Sequence, residues 1–118
     1  MTEHDVDGFY VGYFSGATGN SMGMFVFRDG VVTGADIGGG RYDGKYSIKP
    51  GPEERVAVTL TFFLPTGHFT ITGITADAQP LNVEMSFDLP VQFDKDAIHR
   101  IETPLGAINA KLDKVRGI

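Results

Sequence analysis

The sequence predicts an all-β chain, a small up-and-down antiparallel barrel of eight strands in one domain spanning residues 1–118. Three observations predict it. Sixteen of the 118 residues are glycine, about double the usual share, and most lie in or beside runs that alternate like strands. Three glycines follow aspartate: Asp7-Gly8, Asp29-Gly30 and Asp43-Gly44. Asp-Gly between alternating runs is a hairpin signal, because a type I′ turn needs positive φ at both central residues. Long stretches also keep a strict period of two.

The elements follow in order. Residues 8–15 form a first strand with aromatics on both faces, 16–20 a turn, and 21–28 a second strand. Asp29-Gly30 reverses the chain into a third strand at 31–37. Gly38-Gly39-Gly40 offers no side chains to bury and reads as a bend. A short fourth strand runs from Arg41 to Ile48. Val56, Val58, Leu60 and Phe62 then share one face, against Ala57, Thr59, Thr61 and Phe63 on the other. Phe69, Ile71 and Gly73 similarly oppose Thr70 and Thr72. Leu81, Val83, Met85, Phe87 and Leu89 alternate with Asn82, Glu84, Ser86 and Asp88, and a final hairpin joins 98–103 to 107–115 around Pro104-Leu105-Gly106. Gly12, Gly23 and Gly34, near mid-strand, favour a barrel over a sandwich because they let a sheet bend sharply as it closes. Residues 91–97 read as a short helical turn, and residues 1–6 as a frayed end. Asp7-Gly8-Phe9-Tyr10 is echoed by Asp43-Gly44-Lys45-Tyr46, too short a likeness to define a repeat.

Composition narrows the function classes. A formal net charge of −5 and scattered basic residues argue against direct nucleic-acid binding, which relies on a basic stripe. With no cysteine, disulfides, thiolate metal sites and cysteine nucleophiles are excluded. The acidic N-terminus is no signal peptide, no run approaches the length of a membrane helix, and a cytoplasmic protein is expected.

No catalytic constellation emerges. His4, His68 and His99 share no metal-ligand spacing, so neither a metal nor a cofactor is expected. The four serines lie outside any nucleophile elbow. Gly34 to Gly40 resembles a phosphate loop but leads into a strand rather than a helix. Asp36 and Asp43 flank that bend and could approach as a carboxylate pair. Asp43 is explained as a turn residue, and Asp36 as an acceptor of backbone N–H groups from the loop. Two binding surfaces remain. The first two strands are apolar on both faces, so their outer face calls for cover by a second subunit and predicts a homodimer. The interior, if incompletely filled, could hold an apolar small molecule or lipid, with Phe62, Phe69, Met85 and Phe87 as its lining.

The run Asp7-Gly8-Phe9-Tyr10, Gly23-Met24-Phe25-Val26, Gly30, Gly34-Ala35-Asp36 and Tyr42-Asp43-Gly44-Lys45-Tyr46 resembles the GrlR-type family of type III secretion negative regulators. The likeness covers residues 7–46 and extends beyond only as strand pattern. It implies a lipocalin-like eight-stranded barrel, dimeric and cytoplasmic, that is no enzyme. By the resemblance it represses secretion genes by binding a protein, a transcriptional activator, rather than DNA. In that family an acidic loop after the fourth strand serves the contact. The matching stretch here is Pro52-Glu53-Glu54-Arg55, which makes Glu53 and Glu54 the expected partner-binding residues and follows them with a base.

Overall fold

The computed structural model describes residues 2–95 and 97–118. After a one-turn helix α1 (Glu3–Val6) come eight strands: β1 (Gly8–Gly16), β2 (Gly19–Arg28), β3 (Val31–Asp36), β4 (Arg41–Lys49), β5 (Arg55–Leu64), β6 (Leu81–Pro90), β7 (His99–Thr103) and β8 (Gly106–Arg116). They form one antiparallel sheet in the order β6-β5-β4-β3-β2-β1-β8-β7. The meander from β1 to β6 is extended by β8, which returns to pair with β1. The end strands β6 and β7 approach each other, so the sheet curls into a nearly closed barrel. No helix among the described residues is long and apolar enough to cross a membrane.

Alternation decides which side chains enter the barrel. In β5, Val56, Val58, Leu60, Phe62 and Leu64 are buried and the residues between them are not. The same phase puts Tyr10, Phe25, Phe27, Val32, Tyr46, Leu89, Ile101, Ala110 and Leu112 in the core. Gly12 and Gly23 are paired across β1 and β2, and Gly34 pairs with Phe25 across β2 and β3. A Cβ on Gly12 would lie 2.7 Å from Phe14 and 2.9 Å from Phe25, and one on Gly34 would strike the Phe25 ring. The missing side chains are thus replaced by aromatic rings leaning over bare backbone, as the mid-strand glycines suggest.

Of the three Asp-Gly steps only Asp29-Gly30 turns the chain. Arg28 faces Val31 directly, with φ 50° at Asp29 and 80° at Gly30, as a type I′ hairpin requires. Asp7-Gly8 instead joins α1 to β1, and Asp43-Gly44 lies inside β4. A Cβ on Gly44 would collide with the Leu60 backbone on β5, so this glycine serves close strand approach. Residues 69–73 are not a strand. They belong to the long connection between β5 and β6, in which one bridge pairs Phe69 with Thr75.

The two ends of the barrel differ. At one, Phe93, in a turn at residues 91–94, is buried against Tyr10 and Phe27 with ring centroids 5.3 and 5.6 Å apart. α1 covers the same end. Where the sequence suggests fraying, Val6 is 1% exposed and its carbonyl accepts the Tyr10 hydroxyl at 2.6 Å. This end is plugged. At the other, the turn at 17–18, the glycine bend at 37–40 and the 65–80 connection surround a mouth. Thr18 N–H donates to the Ile71 carbonyl at 2.8 Å, and Gly67 and Ala76 join the connection to itself.

Candidate functional site

The interior toward the mouth is incompletely filled. A cavity of about 80 Å³ opens at the rim, walled chiefly by Phe14, Tyr42, Phe62, Met85 and Ile108, with Asp36 and Ser21 at its edge. A second, of about 70 Å³, lies deeper between Phe27, Val58, Leu60, Phe87 and Leu89. Both are bounded by Phe14, Tyr42, Met85, Thr103 and Ile108, so the two volumes adjoin along these side chains. A cavity needs roughly 10–15 Å³ of such volume to admit a water, and an apolar one of about 150 Å³ takes up benzene.

Each wall residue is placed by its strand. Tyr42 and Phe62 are partners across β4 and β5, and Met85 pairs with Leu60 across β5 and β6. Phe14 stands edge-on to Phe25, and Tyr42 touches Phe25 and Phe62 with centroids 5.1 Å from each. Of the inner residues of β6, Leu81, Val83, Met85 and Phe87 are only half-buried while Leu89 is buried, because the seam between β6 and β7 carries no ladder. Met85, unbranched and flexible, stands between the two volumes.

Four side chains are expected from the sequence to line an interior cavity. Phe62 and Met85 line the mouth, and Met85 and Phe87 the deeper space. Phe69 also borders the mouth but is 71% exposed, a rim residue on the connection rather than a strand residue facing inward. Phe14, Tyr42, Leu105 and Ile108 also line the cavities, and the sequence reading does not single them out for that role. Tyr42 and Phe14 could have been found from the inward phase of β4 and β1, whereas Leu105 lies in a turn with no period to follow. Glu53 and Glu54 sit on the exposed loop between β4 and β5, at the plugged end. The expected protein contact and the cavity are therefore at opposite ends of the barrel.

Asp36 ends β3 with its side chain turned inward. Its Oδ1 accepts the N–H groups of Gly38 and Gly40, each at 2.9 Å, and its Oδ2 accepts the Tyr42 hydroxyl at 2.6 Å. A Cβ on Gly40 would lie 2.6 Å from Asp36 and from Phe62, so the glycine bend lets backbone wrap the carboxylate, an Asx-type arrangement. Burial, then the Asp36 charge and hydrogen bond, push the Tyr42 hydroxyl far above its ordinary pKa, which keeps it protonated and donating. Asp43 is exposed on the outer face of β4. The two carboxylates lie on opposite sides of the sheet and form no acid–base pair.

The histidines have separate local partners: His68 Nδ1 is 3.0 Å from the Gly38 carbonyl and His99 Nε2 is 2.8 Å from the Phe93 carbonyl. His4 Nδ1 lies 3.1 Å from Asp7 Oδ2 and 3.7 Å from Asp29 Oδ1. Donor atoms of His4, Asp7 and Asp29 fall within 4.8 Å of one another, close enough to share a metal ion. However, Asp7 Oδ1 already accepts the Tyr46 hydroxyl at 2.5 Å and the Asp29 N–H at 3.2 Å. The cluster reads as a latch joining α1 to the β2–β3 turn.

The outer face of β1, β2 and β3 is apolar and open. Phe9, Tyr13, Met22, Met24 and Val31 are each at least 38% exposed. Tyr13 faces Met22 and Val11 faces Met24 across the ladder, so the side chains form one patch. No protein-family model, curated protein or solved structure matches this chain.

Proposed function

We propose that this protein is a binding barrel that takes a slender apolar small molecule through its open mouth. The observation that carries this reading is the unfilled interior: two adjoining apolar cavities, one of them opening at the mouth, while the opposite end of the barrel is stoppered by Phe93 and α1. Protein interiors are ordinarily close-packed, and ligand sites are concave, mostly apolar and provided with a few polar groups at the rim. Phe62, Met85 and Phe87 supply the apolar wall and Asp36 with Tyr42 the polar rim. A lipocalin-like role is in keeping with this arrangement.

The test is native mass spectrometry of the purified protein, followed by titration with the neutral fluorophore N-phenyl-1-naphthylamine. Bound mass that leaves on denaturation, or saturable fluorescence abolished in Ala110→Leu, is the expected result. Ala110 lines the deeper cavity, and the larger side chain takes up its space. No bound mass and no saturable probe binding overturn the reading.

A second reading is favoured by a different observation, the exposed patch of Phe9, Tyr13, Met22 and Met24. Monomers seldom leave a large contiguous apolar surface in water. On this reading the barrel associates with itself or with a regulatory protein partner, in the manner the GrlR-type resemblance implies, and acts without catalysis. Glu53 and Glu54 then supply a separate acidic contact, tested by measuring partner capture with Glu53→Lys/Glu54→Lys.

A further inference from the structure

The mouth carries a polar arrangement that apolar binding alone does not use. A carboxylate oxygen offers two acceptor positions. Asp36 Oδ1 fills both with the Gly38 and Gly40 N–H groups, while Oδ2 has accepted only the Tyr42 hydroxyl. One acceptor position stays open. Ser21 Oγ is buried and has no hydrogen-bond partner among the described residues, although nearly all such atoms in folded proteins have one. Both residues border the mouth, and a Cβ on Gly38 would have Asp36 Oδ1 at 3.4 Å on one side and Ser21 Oγ at 4.0 Å. The other hydroxyls at the rim are engaged. Thr70 Oγ1 pairs with Thr72 Oγ1 at 2.7 Å and accepts the Ile74 N–H, and Thr103 Oγ1 donates to the Gly106 carbonyl and accepts the Leu105 N–H.

Charge selects the ligand class. Among the described residues lining the two cavities, Asp36 is the one charged side chain, and they include no lysine, arginine or histidine. A carboxylate or phosphate head entering the mouth meets a like charge with no cation to offset it. An ammonium head meets its counter-charge in a setting partly shielded from water, where the attraction is stronger than in bulk solvent. Resting on the binding-barrel reading, we infer that the mouth selects an amphiphilic amine, its ammonium paired with Asp36 through the open position of Oδ2 at the rim that Ser21 also borders, and its apolar tail running past Met85 into the second cavity. An ammonium has three donors; one meets Oδ2 and two are left for acceptors at the rim, Ser21 Oγ and water.

The experiment is isothermal titration of the whole protein with octylamine, octanol and octanoate, probes that share a chain length and differ in the head. Octylamine is expected to bind about tenfold or more tighter than octanol, a difference of about 1.4 kcal/mol, with octanoate weakest. Equal affinity for all three overturns the head-group inference and leaves the barrel reading in place. Binding by none of them, together with no binding of the neutral fluorophore, overturns both. Asp36→Asn keeps the shape and removes the charge, so the preference for octylamine over octanol is expected to vanish. Ser21→Ala breaks no existing hydrogen bond and should fold as the parent does, yet bind octylamine about threefold or more weaker, the scale of one lost hydrogen bond. An amine preference unchanged in Ser21→Ala and in any folded Asp36→Asn overturns the assignment.

Discussion

The Tyr42 hydroxyl donates to Asp36 Oδ2 at 2.6 Å, linking the end of β3 to the start of β4 across the glycine bend. Tyr42 thereby joins two structures with one side chain. Its ring walls both cavities, and its hydroxyl fixes the carboxylate whose other oxygen organises residues 38–40. Tyr42→Phe retains the ring and removes the bond. Loss of a hydrogen bond to a charged group costs about 1.5–3 kcal/mol, so the urea midpoint is expected to fall at unchanged m-value. A stability within about 0.5 kcal/mol of the parent, the usual scatter of neutral surface changes, would show that the bond has no energetic part in the bend.

The glycines beneath the aromatic rings make a rescue experiment possible. At Gly12 a Cβ meets only the ends of Phe14 and Phe25, at 2.7 and 2.9 Å, whereas at Gly23 it meets the Ala35 carbonyl. Gly12→Ala should therefore destabilise by about 1–3 kcal/mol, the range for overpacking, and Phe14→Leu should recover part of that loss in the double variant. Gly23→Ala presses on backbone and should not be recovered by Phe14→Leu or Phe25→Leu. Equal recovery at both positions contradicts the distinction.

At the β2–β3 hairpin the constraint is conformational rather than steric. Gly30 has φ 80°, and a Cβ there would approach nothing closer than the Tyr46 carbonyl at 3.5 Å. Gly30→Ala is expected to cost about 1–2 kcal/mol from the left-handed backbone alone. Thermal unfolding reads this directly, and an unchanged melting temperature refutes it.

The latch on α1 should respond to pH in both directions. Burial acts to raise the Asp7 pKa, but hydrogen bonds from Tyr46, His4 and the Asp29 amide outweigh it and hold the carboxyl below its usual value. Its contribution is complete above the unfolded pKa of about 3.9 and is lost as pH falls through the lower folded value. The hydrogen bond to Asp7, helped by the Asp7 charge, raises the His4 pKa. That contribution is complete below the unfolded value of about 6.5 and disappears as pH rises through the higher folded one. Amide exchange at Val6 and Tyr10 should thus be slowest between about pH 4 and 6.5 after correction for intrinsic rates. His4→Ala should abolish the alkaline limb and leave the acid limb. A single monotonic dependence contradicts the latch.

The outer patch gives a prediction independent of the cavity. If the faces of Tyr13 and Met24 associate between copies, sedimentation of the parent shows a dimer, and Tyr13→Lys/Met24→Lys shows a monomer of unchanged melting temperature. A parent that remains monomeric at high concentration removes self-association as the cover for this face.

Much of this barrel is legible in local sequence. Period-two alternation located β5 and β6, because side chains on a strand must alternate between water and core. Asp29-Gly30 announced its hairpin because two consecutive positive φ angles select for that dipeptide. Asp36 near the end of an apolar strand, with Gly38-Gly39-Gly40 beginning two residues later, already suggested a carboxylate receiving backbone N–H groups. The rest follows from contacts between distant segments. Asp7-Gly8 and Asp43-Gly44 have the same local chemistry as the true turn. Their fates depend on partners far along the chain, Tyr46 for Asp7 and Leu60 for Gly44. The tract at 69–73 alternates like a strand but was drawn into the connection over the mouth. The cavity walls likewise depend on register, which sets Tyr42 against Phe62 and aims Asp36 inward while Asp43 faces out. Dihedral preference and alternation are short-range and can be read from neighbouring residues. Closure of the sheet, and the space it leaves unfilled, arise from contacts between residues distant in sequence.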